Sequence, residues 1–145
     1  MREHDLSDHL TVPDGFALAH SRGGFTNHNG PVYAAEAKGD LRSGMFVLDR
    51  HCNGMGFLHG GMIGAFADRA LAVAVYDATR KMSVTLKLTL HYYETVRLHD
   101  WLEAHPKVLS TTDGIVQVTA DLLISGEKLA ARADATFRSL RRVQK

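Results

Sequence analysis

The sequence predicts an α+β domain in which an antiparallel sheet of about five to six strands wraps one long helix. Three observations carry that reading. Residues 60–79 form an apolar stretch that is hydrophobic nearly all round a helical wheel, so it has to be covered on most sides. After Arg80-Lys81 the pattern switches to period two, with Val84, Leu86, Leu88 and Leu90 alternating with Thr85, Lys87, Thr89 and His91. Beyond that, strand-like segments are separated by Thr111-Thr112-Asp113-Gly114 and Ser125-Gly126-Glu127-Lys128, both tight-turn signals.

Taken in order, residues 1–30 mix His, Asp, Gly and Asn with short apolar pieces such as Phe16-Ala17-Leu18-Ala19. They read as an N-terminal extension with room for a short helix, and Gly23-Gly24 and Asn27-His28-Asn29-Gly30 are turn signals. Val32 to Ala37 reads as a strand, Gly39-Asp40 as a hairpin-type turn, and Arg42 to Asp49 as a second strand. The helix from Gly60 to Thr79 carries small residues, among them Gly64, Ala65, Ala67, Ala70, Ala72 and Ala74, that let other backbones come close. The period-two strand then opens a four-strand meander, completed by Trp101 to Val108, Ile115 to Ile124 and Lys128 to Phe137. The expected division is an extension (1–30), a domain (31–140) and a basic tail (141–145).

Composition narrows the function classes. A chain of 145 residues, 45% hydrophobic and 23% charged, is long enough to bury a core. A net charge of +1 gives nothing global that points to nucleic acid. The lone Cys52 allows no intrachain disulfide, and the charged start Met1-Arg2-Glu3-His4-Asp5 has no apolar h-region. A cytoplasmic location is the expectation. The longest apolar run, residues 60–76, is broken at its centre by Asp68 and Arg69, which argues for a buried helix rather than a membrane span.

The chemistry concentrates between His51 and Asp68. The loop His51-Cys52-Asn53-Gly54-Met55-Gly56-Phe57-Leu58-His59-Gly60-Gly61 runs straight into the helix. The first N–H groups of a helix lack internal partners and sit at the positive end of its dipole. A glycine there lets a ligand reach the backbone, so Gly60 can stabilise a carbonyl oxygen as it becomes an oxyanion. The alternative is a glycine-rich turn with no further role. Asp68 is the only carboxylate between Asp49 and Asp77, and its helical neighbours Gly64, Ala65, Leu71 and Ala72 cannot neutralise it. Such an aspartate needs hydrogen bonds or a catalytic role as nucleophile or general base. Asn53 could orient water or the carbonyl, or simply make an Asx-turn. His51, Cys52 and His59 match no common zinc spacing, so no metal is expected.

The pattern His51-x-Asn53-x-x-Gly56-x-x-His59-Gly60-Gly61 followed by Asp68, with the strand Val84 to Tyr92, resembles the hotdog-fold acyl-CoA thioesterases of the phenylacetate-pathway group. The resemblance covers residues 31–138 in element order. One departure is Tyr92-Tyr93-Glu94-Thr95-Val96, where much of the family has a proline. The resemblance implies a hotdog fold and a thioesterase acting on an acyl-CoA, with coenzyme A as part of the substrate and no other cofactor. It implies catalytic roles for Asp68, Gly60, Asn53, His59 and Thr85, the last helping to place water. Gly61 would contact substrate, and Arg138 and Arg141 are candidates for the coenzyme A phosphates.

Geometry adds a constraint. Eight residues of helix rise about 12 Å. Gly60 and Asp68 of one chain therefore cannot both reach one carbonyl, so if both are catalytic a two-fold homodimer with antiparallel helices is expected; the resemblance implies the same dimer and its pairing into a dimer of dimers. Two rival readings share the fold: an acyl-thioester dehydratase or hydratase, which needs a His–carboxylate pair, and a non-catalytic acyl-CoA-binding module.

Overall fold

The computed structural model describes residues 9–141. Of the basic tail only Arg141 falls among them; Arg142 and Lys145 lie outside the described residues, as does the start of the N-terminal extension. The elements are β1 (Phe16–Leu18), α1 (Gly24–Asn29), β2 (Tyr33–Ala35), β3 (Ser43–Phe46), α2 (Gly60–Thr79), β4 (Ser83–Tyr92), β5 (Trp101–Thr112), β6 (Ile115–Ile124) and β7 (Lys128–Ser139). A 3-10 turn, Asp49–His51, leads from β3 toward the loop before α2. No helix among the described residues is long and apolar enough to cross a membrane.

One antiparallel sheet runs in the order β1-β2-β3-β5-β6-β7-β4 and packs one face on α2. This is the α+β layer that the sequence predicts, with a seventh strand. The additional strand is β1, from the segment read as an extension, which pairs Phe16 with Ala35 and Leu18 with Tyr33.

The meander is corrected by the pairing. Only β5, β6 and β7 follow one another; β4 lies beside β7 at the free edge, and β5 pairs with β3. The segment 93–100 makes this possible. It runs past the start of α2, where Leu58 N–H donates to the Val96 carbonyl and Phe57 bridges Arg97, before β5 begins. A connection of that length frees sequence neighbours from being sheet neighbours.

Two cores hold the domain. On the inner face, Ala67, Ala70 and Ala74 of α2 meet a sheet surface rich in Ala104, Ala120, Ala131, Ala133 and Ala135. Small residues on both sides bring helix and sheet close, and Phe66, Leu71, Met45, Leu102, Leu122 and Phe137 fill the remaining volume. On the outer face, Trp101 sits among Phe16, Tyr33 and Phe46, with Phe46 4.8 Å and Phe16 5.3 Å from it between ring centroids. Leu10, Val12 and Leu18 of the N-terminal segment pack against this cluster. Gly44 is required beneath it, since a Cβ there would lie 2.0 Å from the Trp101 ring.

Candidate active site

Helix α2 is capped by its own motif. His59 stands at the N-cap in extended backbone (φ −62°, ψ 133°), and its Nδ1 accepts the Gly61 N–H at 2.9 Å. An imidazole nitrogen that accepts an N–H carries no proton, so the neutral ring of His59 holds its proton on Nε2. Gly61 thereby spends its N–H inside the loop. Gly60, the first helical residue, keeps its N–H without a partner among the described residues. At the same position Tyr92 Oη donates to the Gly60 carbonyl at 2.8 Å and ties the helix start to the end of β4.

The loop before the helix is held by its own hydrogen bonds. Asn53 Oδ1 accepts from Met55 N–H at 2.9 Å and Phe57 N–H at 3.2 Å, the Asx-turn role, which leaves only its amide Nδ2 for a ligand. His51 is buried; its Nδ1 accepts the Leu48 N–H at 3.1 Å and its Nε2 faces the Asn29 carbonyl at 2.7 Å. Nε2 must then be the protonated nitrogen. Burial and the neighbouring Arg50 charge push its pKa below the ordinary 6.5. Both nitrogens are committed to structure. Cys52 is half-buried, and desolvation with the Asp49 charge pushes its thiol up, away from a nucleophilic thiolate. Among the described residues no set of His, Cys, Asp and Glu side chains converges as metal ligands.

Two turns into α2, Asp68 is half-buried and accepts a hydrogen bond from Thr85 Oγ1 at 2.6 Å. The sequence pattern alone puts Thr85 on the outward side of β4. The ladder shows why it points inward instead. Thr85 pairs with Phe137 and Lys87 with Thr136, so Leu86 is an extra residue, a β-bulge. The bulge reverses parity: Leu88, Leu90 and Tyr92 face the helix after it, and Thr85 faces the helix before it. Val84 and Leu86 lose the buried positions their pattern suggests and stand 44% and 53% exposed.

The structure thus joins Asp68 to Thr85 and Gly60 to Tyr92, and keeps the two pairs apart along one helix. Strand position alone gives Tyr92 a packing role; no motif spacing marks its link to Gly60. Asp68 lines a groove of about 820 Å³ along the open side of α2. Ala65, Ala72 and Tyr76 of the helix form its floor, Phe25 and Thr26 of α1 one wall, and Met82 the other. Arg69 also lines it. Arg138 pairs with Val84 on the opposite face of the sheet from Asp68, and Arg141 is exposed beyond the end of β7.

Comparisons with known proteins give the family and the fold. Residues 55–131 match the family model of the thioesterase superfamily. The chain is 30% identical over 131 residues to a Pseudomonas aeruginosa protein named "Putative esterase PA0474", covering 88% of this chain and 97% of that one. Among solved structures, a mutant of the phenylacetic acid degradation protein PaaI from Thermus thermophilus superposes with a TM-score of 0.70 at 23% identity, over 80% of this chain and 98% of that chain. A Streptococcus mutans protein bound to acetyl CoA does so with a TM-score of 0.67 at 19% identity, over 95% of this chain and 98% of that chain. At those identities the two structures establish the hotdog fold.

Proposed function

The chain belongs to the thioesterase superfamily and is a thioester hydrolase, and from that premise we propose that it cleaves an acyl- or aryl-acyl-CoA to the free acid and coenzyme A, in composite sites shared by two subunits. The Streptococcus relative solved with acetyl CoA supports coenzyme A as the carrier. The observation that carries the shared site is the pairing of Asp68 with Thr85 and of Gly60 with Tyr92, at opposite ends of one strand.

Strand β4 has β7 on one side and an open edge on the other. An edge strand bearing exposed apolar residues is a template for another strand. If a second copy pairs antiparallel about Thr89, the bulge at Leu86 brings Thr85 of one strand opposite the partner's Tyr92, both on the helix side. Asp68, held by Thr85, then stands beside the partner's Gly60, held by the partner's Tyr92. The same two-fold axis lays the open sides of two α2 helices together over Ala72, Val73 and Tyr76, and leaves the α1 side of the groove between the subunits for the acyl chain.

In such a site the thioester oxygen rests on the partner's Gly60 N–H, at the positive end of that helix. Thr85 donates to Asp68 Oδ1 and leaves Oδ2 open. In the general-base route, Oδ2 takes a proton from water as its oxygen bonds to the thioester carbon. The oxyanion then collapses, the carbon–sulfur bond breaks, and the departing thiolate recovers the proton. In the nucleophilic route, Oδ2 bonds to that carbon, the carbon–sulfur bond breaks to expel the coenzyme A thiolate, and water hydrolyses the resulting anhydride and gives the thiolate its proton. The water then places its oxygen in the product or in Asp68, which single turnover in heavy-oxygen water distinguishes. His59, with Nε2–H outward, and the Asn53 amide offer further donors to the thioester. For Arg138 and Arg141 to hold the coenzyme A phosphates, the carrier has to leave the site around the sheet edge, because Arg138 faces away from Asp68.

A hydratase or dehydratase reading fits less well, because the side chain bonded to Asp68 is a threonine rather than a histidine. A panel of CoA thioesters followed by free-thiol release tests the activity. Asp68→Asn is expected to keep its fold and assembly and to lose about 10²–10⁴-fold in turnover. Undiminished turnover in that variant removes Asp68 from the chemistry, and tight acyl-CoA binding without turnover by the unaltered protein would make it a binding module.

A further inference from the structure

The groove contains a cation that the hydrolysis scheme does not use. Arg69 follows Asp68 in sequence, but a helix turns about 100° per residue, and the two side chains part. Asp68 reaches toward β4 and Thr85. Arg69 reaches toward β3 and α1, where Nη1 donates to Ser43 Oγ at a long 3.4 Å, and it lines both the main groove and a small adjoining recess with Thr26, Asn29 and Met62.

No carboxylate pairs with Arg69 among the described residues. Other arginines of the chain have such partners: Arg42 on Asp40 at 2.7 Å, Arg80 on Asp77 at 3.3 Å and Arg132 on Asp121 at 2.7 Å, all at more exposed positions. Arg69 instead feels burial alone, which pulls its guanidinium below the usual arginine range. A desolvated cation without an anion is costly, and fork-shaped guanidinium donors match a carboxylate. No buried side-chain nitrogen or oxygen among the described residues lacks a hydrogen bond, so the donors that Ser43 does not take are accessible, and Arg69 is one of the residues that line the groove.

We propose that Arg69 is a specificity residue for the acyl end of the substrate, and that the acyl group carries a carboxylate distal to the thioester. The proposal rests on the thioesterase reading and extends it: Asp68 works at the thioester carbon while Arg69, on the α1 side of the same groove, holds the far end of the chain. The substrate class is therefore the mono-CoA thioester of a dicarboxylic acid, and the product is the free diacid. A reaction that activates or shortens dicarboxylic acids as CoA thioesters is the kind that would supply it.

The test compares adipyl-CoA with its neutral counterpart hexanoyl-CoA, by free-thiol release, in the unaltered protein, Arg69→Met and Arg69→Lys. The unaltered protein is expected to prefer adipyl-CoA in kcat/KM by at least about tenfold, a difference typical of one charged contact in a site. Arg69→Met is expected to collapse that preference, chiefly through KM for adipyl-CoA, and Arg69→Lys to keep part of it. An unaltered protein that hydrolyses both thioesters equally, or an Arg69→Met variant that retains the preference, overturns the proposal while leaving the thioesterase reading intact. Loss of assembly in Arg69→Met, seen by light scattering, also overturns it, because the anion would then belong to the partner subunit. Failure of the unaltered protein to release thiol from any acyl-CoA would instead overturn the reading beneath it.

Discussion

Along α2, the side facing the sheet and the side facing the groove use similar small and apolar residues, yet only one of them has found its partner. Ile63, Phe66, Ala67, Ala70, Leu71, Ala74 and Val75 are buried against the sheet. Ala65, Ala72, Val73 and Tyr76 line the groove, and Tyr76 remains 48% exposed. Asp68 sits in the middle of this second stripe. The contrast separates two jobs on one helix: the first stripe fixes the fold of a single chain, and the second is the surface that the proposed dimer covers. Substitutions on the two stripes should therefore fail in different ways.

The sharpest division comes from Phe66→Ala on the buried stripe. It is expected to cost about 3–5 kcal/mol in denaturant unfolding, because the lost ring leaves a cavity among closely packed alanines. If it changed assembly and left stability alone, the division between the stripes would be wrong. Ala72→Glu on the open stripe is expected to do the opposite. Two carboxylates brought together across a two-fold axis should raise the dimer dissociation constant about a hundredfold, read by light scattering, with the circular dichroism of a folded chain preserved.

A smaller effect sharpens the account of the second stripe. Thr85→Val keeps the shape of the side chain and removes the hydroxyl that holds Asp68. Turnover is expected to fall about tenfold with little change in KM, and Thr85→Ser to restore it. The smallest effect lies off both stripes, at His51. Its folded-state pKa is lowered by burial, so the folded protein binds this proton less readily than the unfolded chain does. Stability should be flat above the ordinary value of 6.5 and decline as pH falls below it, and His51→Gln should flatten that slope in a urea titration at several pH values.

How much of this is legible in the sequence follows the same division. The buried stripe, the glycine-marked start of α2 and the loop motif are local patterns, and the helix predicted over residues 60–79 has those bounds in the structure. The inward turn of Thr85 is not legible as strand geometry. It depends on a bulge at Leu86, and a period-two pattern reads straight through a bulge. Thr85 enters the candidate site through family resemblance alone. The place of β4 at the edge is hidden for a related reason: adjacency in a sheet depends on where the segment 93–100 leads, and hydrophobic period says nothing of that. The N-terminal segment reads as an extension outside the domain because its few apolar residues, Leu10, Val12, Phe16 and Leu18, have no period; Trp101 gives them their partner. Arg69 looks incidental in the sequence because adjacency to Asp68 suggests a neighbour rather than an independent group with its own view of the groove.

The central claim is that each reaction centre takes its acid from one subunit and its main-chain donor from the other. Gly60→Pro isolates the donor, because proline lacks an N–H, is accepted as the first residue of a helix, and follows an extended His59 without strain. Asp68→Asn isolates the acid. Each variant alone should be inactive while remaining folded and dimeric. Refolded together in equal amounts, the two should form mixed dimers in which one site carries both lesions and the other none, and turnover should return to about a quarter of the unaltered level. No recovery, with mixed dimers verified by mass spectrometry, would place both groups in one chain and contradict the account.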